Sequence, residues 1–124
     1  MAYEKEDMEV LQERYSDILK IDYIECDIGW FDILDKALSQ LLMVCCETGE
    51  SIKIVQIKEK FGGLRIYYDL DLENEIDEDF RQKVEDIIYN AENESYTTCE
   101  VCGEEGKPRK GGWIKTLCND HNNK

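Results

Sequence analysis

Four residues near the C-terminus have the types and spacing of a metal site: Cys99 and Cys102 in TCEVCG, then Cys118 and His121 in LCNDH. A two-residue gap lets both side chains of one tight turn converge on a single ion. Gly103, just after the first pair, lets the backbone fold back so that amides face the sulfurs. Three thiolates and one imidazole make a borderline-soft, tetrahedral donor set suited to zinc. Protein groups fill all four positions, so the ion reads as structural; a catalytic zinc keeps one position open for water. A zinc deaminase would carry H-x-E upstream of its C-x-x-C, and the chain has no such motif.

His121 is the only histidine. Its use as a ligand leaves none to act as general base, to activate a nucleophile or to build an HNH-type nuclease centre, which points away from an enzyme. Carboxylates are so abundant that no particular pair stands out as catalytic. Cys26, Cys45 and Cys46 have no basic or histidine neighbour in sequence and read as buried core thiols.

The elements that must hold the metal ligands follow from periodicity. Met8, Leu11, Tyr15, Ile18 and Leu19 predict a first amphipathic helix over about 5–20. Residues 21–28 alternate loosely and fit a short strand or an extended linker. Phe31, Leu34, Leu38, Leu41 and Cys45, widened by Ile33 and Val44, predict a core helix over about 30–48, stopped by Gly49. Strands over about 51–60 and 64–70, joined through Gly62-Gly63, read as an antiparallel hairpin with Leu64, Ile66, Tyr68 and Leu70 facing the helices. Ile76, Phe80, Val84, Ile88 and Ala91 predict a third helix over about 76–93, with Asp77, Glu78 and Asp79 in its first turn.

The expected fold is therefore α+β. Three helices pack on an antiparallel hairpin in residues 1–95, and residues 96–124 form a zinc-binding element packed on that body. Gly106, Pro108, Gly111 and Gly112 make turns and Trp113–Leu117 can be a strand, giving a knuckle and hairpin of treble-clef type. Only three residues follow His121, too few for the usual terminal helix. This element is expected against the third helix, which runs almost directly into Cys99.

The chain has 124 residues, enough for one core, and a formal net charge of −14. The charge is uneven. After residue 95, Lys107, Arg109, Lys110, Lys115 and Lys124 outnumber Glu100, Glu104, Glu105 and Asp120 by one, leaving −15 on the first 95 residues. Such a body repels nucleic-acid backbone and suits solubility or a basic protein partner. The N-terminus lacks the basic and apolar regions of a signal peptide, and no apolar run approaches membrane-spanning length, so a cytoplasmic protein with reduced thiols is expected.

Two cationic clusters interrupt the acidity. In KEKFGGLR, Lys58, Lys60 and Arg65 gather at one end of the hairpin and could meet an anionic ligand such as a nucleotide. This is no P-loop, because strand rather than helix follows the glycines. The favoured reading pairs these cations with the seven acidic residues of 69–79. The second cluster, Lys107, Arg109, Lys110 and Lys115 around Trp113, has the residue types of a nucleic-acid module. The net charge disfavours that, and the simpler reading is a tryptophan packed over the zinc hairpin among solvated lysines.

Taken in order, IECDIGWFDILDKAL, VQIKEKFGGLRIYY and TCEVCG...GWIKTLCNDH resemble a family of small uncharacterised proteins found in phage and prophage genomes. The likeness spans roughly residues 24 to 121. It departs slightly before Gly29-Trp30, where family members tend to have an acidic residue or glycine. The resemblance implies a phage-related accessory protein. Together with the acidic surface, the reading is a non-enzymatic factor that binds or inhibits a host macromolecule, most simply a host protein. The resemblance also marks Trp30, Lys58, Lys60, Phe61, Gly62, Gly63 and Arg65, so that Trp30 joins Lys58, Lys60 and Arg65 as a candidate for anion or partner binding.

Overall fold

The computed structural model describes residues 6–70 and 77–122. Residue 5, Ile76 and the acidic residues at 71, 73 and 75, which entered the sequence-based expectations, lie outside them. The fold is α+β. Helices α1 (Glu6–Arg14), α2 (Phe31–Thr48) and α3 (Glu78–Ser95) surround a hairpin of β1 (Ile52–Lys60) and β2 (Gly63–Leu70). A smaller hairpin, β3 (Lys107–Arg109) and β4 (Lys115–Leu117), follows, and single 3-10 turns occupy Ile28–Trp30 and Asn119–His121.

The predicted alternation holds on β2: Leu64 and Ile66 are buried while Tyr67 and Asp69 are exposed. With Ile54 and Ile57 of β1, Leu64 and Ile66 belong to one core cluster that includes Leu11, Trp30, Leu34, Leu38, Leu41, Phe80 and Val84. Gly49 ends α2 at φ +77, its amide donating to the Cys45 carbonyl. Asp77 caps α3 by accepting from the Asp79 amide.

The first helix is shorter than its periodicity predicts. Tyr15, Ile18 and Leu19 are buried as expected, but past Arg14 the chain turns and lies along the free edge of β1. The Ile54 amide donates to the Ile18 carbonyl at 2.8 Å and the Lys20 amide donates to the Ile54 carbonyl at 3.1 Å. Further on, the Glu25 amide donates to Ile57 at 2.9 Å and the Glu59 amide to Glu25 at 3.1 Å. Residues 21–27 are thus a linker with one isolated parallel bridge rather than a strand, and Ile28 begins the 3-10 turn. The unpaired backbone groups of β1 outweigh helix propensity here.

The outer edge of β2 is met differently. Leu64 donates its amide to Ser95 Oγ at 2.9 Å, and Ile66 donates to Glu92 Oε2 at 3.0 Å. Two polar side chains on the last turn of α3 stand in for a neighbouring strand, which is why Ser95 is fully buried.

The hairpin turn differs from the expected Gly62-Gly63. Lys60 pairs with Gly63, so Phe61 and Gly62 are the turn residues, both left-handed at φ +54 and +84. Two positive φ values are the mark of a type I′ turn, whose twist matches the strands. Gly63 is glycine for another reason: a Cβ there would overlap the Tyr96 ring. Neighbouring substitutions should therefore act in opposite directions. Gly63→Ala should lower stability by about 2 kcal/mol through overpacking, whereas Phe61→Gly, which relieves a left-handed phenylalanine, should leave stability unchanged or slightly raised; urea denaturation of the two variants beside wild type measures both.

Candidate metal centre

Cys99 and Cys102 are brought together by a knuckle closed by two short backbone bonds, Cys99 amide to Glu104 carbonyl at 2.7 Å and Gly103 amide to Cys99 carbonyl at 2.9 Å, with Gly103 at φ +85. Cys118 follows β4 directly, and the 3-10 turn after it returns His121 to the same point, the His121 amide donating to the Cys118 carbonyl at 3.2 Å. The four ligand atoms lie within 4.8 Å of one another. Individual separations are 3.7 Å for Cys102 Sγ to Cys118 Sγ, 3.7 Å for Cys99 Sγ to His121 Nδ1 and 3.2 Å for Cys118 Sγ to His121 Nδ1. A tetrahedron with metal–sulfur bonds of about 2.3 Å and metal–nitrogen bonds of about 2.0 Å has edges of roughly 3.5 to 3.8 Å, so the cluster could hold one metal ion.

The electrostatics prepare the sulfurs unequally. Burial pushes the Cys99 thiol up, but the backbone amides of Cys118, Cys102 and Val101 outweigh it and bring it down to about 7. Amides facing the sulfur are what the knuckle expectation requires. Cys102 lacks that support: burial and the adjacent Cys99 and Cys118 thiols raise it to about 11, against one favourable amide from Glu104. Ionising one sulfur disfavours ionising the next; a cation among them would remove that competition.

The knuckle is seated on the start of α2 by groups between and beside the ligands. The Gly29 amide donates to the Glu100 carbonyl at 2.7 Å, and the Trp30 indole Nε1 donates to the Thr98 carbonyl at 2.9 Å. Glu100, 2% exposed, accepts from the Asp27 amide through Oε2 at 3.0 Å and lies 3.2 Å from Lys115 Nζ through Oε1. Burial raises the Glu100 carboxyl, and the Asp27 amide and Lys115 pull it back. A Cβ on Gly29 would collide with the Cys99 and Glu100 carbonyls, so the knuckle needs a bare backbone beneath it.

These contacts correct the expectation for Trp30. It is 0% exposed, and its only polar atom is spent on Thr98, so it is a strut beneath the knuckle and no surface for a partner. The knuckle unit also meets the tip of the large hairpin rather than only the third helix. Thr116 Oγ1 donates to the Gly62 carbonyl at 2.6 Å, and Ile114 lies against Gly62.

Lys58, Lys60 and Arg65 sit as expected on the hairpin, with Lys58 opposite Arg65 in register. Arg65 Nη1 donates to the Tyr96 hydroxyl at 3.0 Å and to the Leu64 carbonyl at 3.1 Å. Among the described residues none of the three forms an ion pair, including with Asp69, Asp77, Glu78 or Asp79. Trp113 departs from its expectation: it is 75% exposed instead of packed over the metal hairpin. Beside it stands Phe61, 67% exposed. Of the remaining cysteines, Cys26 and Cys45 are half-buried and Cys46 is exposed, so the core-thiol reading fails for Cys46. Sequence reasoning gave no sign of the roles of Glu100, Thr98 and Thr116; a lone acid between two cysteines was the available signal.

No protein-family model matches the sequence, and comparison with curated proteins and with solved structures found no match. Among the described residues no helix is long and apolar enough to cross a membrane.

Trp30→Phe leaves the Thr98 carbonyl without its donor and should destabilise the protein by about 1–3 kcal/mol, with faster loss of metal to a chelator; a thermal melt and a competition assay measure the two effects. Brief alkylation of the native protein should modify Cys46 first. Cys26, half-buried, should react far more slowly, because burial foremost, then the Glu100, Asp27 and Glu59 carboxylates, raises its thiol well above the usual range; peptide mass spectrometry after a short iodoacetamide pulse distinguishes them.

Proposed function

We propose that this chain is a non-enzymatic binding protein whose C-terminal unit is organised by one structural zinc on Cys99, Cys102, Cys118 and His121, in a treble-clef-like knuckle and hairpin. The observation that carries this is the convergence of four protein donors within 4.8 Å. A zinc with four protein ligands has no position for a reacting water, and it holds the only histidine of the sequence. When bound, the ion supplies a cross-link between the knuckle and the turn after β4. The chain's own residues do the rest: Gly29, Trp30 and Glu100 seat the knuckle on α2, and Thr116 fastens it to the hairpin.

The resemblance to phage and prophage proteins supports an accessory or inhibitory role in a reducing cytoplasm. There the surplus of acidic residues in the first 95 positions would meet a basic face of a host protein. Such a contact should form fast and weaken with salt.

One equivalent of zinc per chain is expected by elemental analysis. A strong chelator should lower the melting temperature markedly, and Cys118→Ser should behave like the chelated protein. An unchanged melt after complete removal of metal would refute the structural role.

A further inference from the structure

The exposed aromatic pair Phe61 and Trp113 has no part in seating the metal unit. Together with Glu59, Lys60, Ile114 and the backbone of Gly111 and Gly112, the two rings line a groove of about 450 Å³ between the hairpin tip and the segment before β4. Each ring is more than half exposed, so neither is there for the core.

Phe61 is the sharper anomaly. It is the one described non-glycine residue with positive φ, at +54, in a turn that asparagine or glycine would serve without strain. A large ring at a strained position that gains little packing indicates a use outside the fold. Gly111 is glycine for its backbone, at φ +150. At Gly112 a Cβ would meet nothing within 4 Å, and the bare backbone there leaves the groove beside Trp113 open to a flat ring.

The charge around this groove is opposite to that of the molecule. From residue 58 to 65, at the tip end of the hairpin, Lys58, Lys60 and Arg65 outnumber Glu59 by two. Lys58 and Arg65 face each other across the strands, and Lys60 follows at the tip, its ammonium 5.7 Å from the Phe61 ring centroid. Glu59 is partly occupied, its Oε2 accepting from the Gly62 amide at 2.8 Å. Arg65 donates to a neutral phenol and forms no ion pair among the described residues, although the Glu92 carboxylate is near enough to act on it. A short row of cations thus leads to two stacking faces.

We propose that this end of the molecule binds a short stretch of single-stranded nucleic acid, with unpaired bases stacked on Phe61 and Trp113 and phosphates on Lys60, Lys58 and Arg65. Rings stack on any base, and cations that track the backbone supply the salt-dependent part of the affinity. The acidic remainder limits the footprint to about two or three nucleotides. It also disfavours duplex, whose paired bases cannot reach the rings and whose second strand would face carboxylates. This site is separate from the acidic surface assigned above to a protein partner, and it depends on the metal unit only for the placement of Trp113.

The test is fluorescence anisotropy of a labelled twelve-residue oligothymidine with the zinc-loaded protein at about 20 mM salt, alongside thymidine monophosphate and a duplex of equal length. Binding is expected to the single strand, roughly 100-fold weaker at about 200 mM salt if three phosphates are neutralised. Trp113→Ala and Phe61→Gly should each weaken it about tenfold or more while leaving the melting temperature within a degree or two of wild type. No binding at low salt, or binding that both variants leave unchanged, would overturn the proposal. Equal affinity for the monophosphate would reassign the groove to a free nucleotide, and a protein partner lost with Trp113→Ala while oligothymidine is ignored would reassign it to protein docking. Zinc content measured on the same sample separates failures: absent binding with one zinc per chain overturns this inference alone, and a metal-free folded sample overturns the structural-zinc reading.

Discussion

The junction between the start of α2 and the Cys99–Cys102 knuckle is the constraint around which the structure is arranged. Two hydrogen bonds define it, Gly29 amide to Glu100 carbonyl and Trp30 indole to Thr98 carbonyl. The same tryptophan fills the centre of the hydrophobic core. A side chain that is at once core filler and donor to the ligand-bearing loop ties the position of the sulfurs to the packing of the helices. The buried Glu100 strengthens the tie, because a carboxylate removed from water needs its partners. The Asp27 amide and Lys115 come from two different segments and hold them together around it.

Much of this was legible in the sequence where one physical signal dominated. The spacing of Cys99, Cys102, Cys118 and His121 picked out the four side chains that the fold brings together and that could hold a metal ion. Helices α2 and α3 and the large hairpin followed from periodicities that agreed with their burial. Illegible parts were those where two signals conflict or where the partner is remote. Tyr15, Ile18 and Leu19 keep helical spacing, yet the edge of β1 claims the backbone there. In Phe61-Gly62-Gly63 the glycines looked sufficient for the turn, and only the strand register shows that the phenylalanine takes the strained place. Trp30 was marked by its setting but given the wrong role, since the Thr98 carbonyl it needs is 68 positions away.

The charge is unevenly distributed over the molecule. The field of the acidic helices extends over only about a Debye length, near 8 Å at physiological ionic strength. The hairpin tip and the segment carrying Trp113 form a local exception within that field. A net charge averaged over the whole chain therefore describes its colloidal behaviour better than it describes what the tip can bind.

The way the large hairpin is bordered has one further consequence. Residues 18–25 occupy the outer side of β1 between Ile54 and Glu59, and the hydroxyl of Ser95 and carboxylate of Glu92 occupy the outer side of β2 at Leu64 and Ile66. Along those stretches a two-stranded ribbon offers no row of free amides for a third strand. Recruitment of a partner by strand addition is closed there, as is the sheet-to-sheet growth that exposed ribbons invite. Whatever this protein recognises along that ribbon, it recognises through side chains.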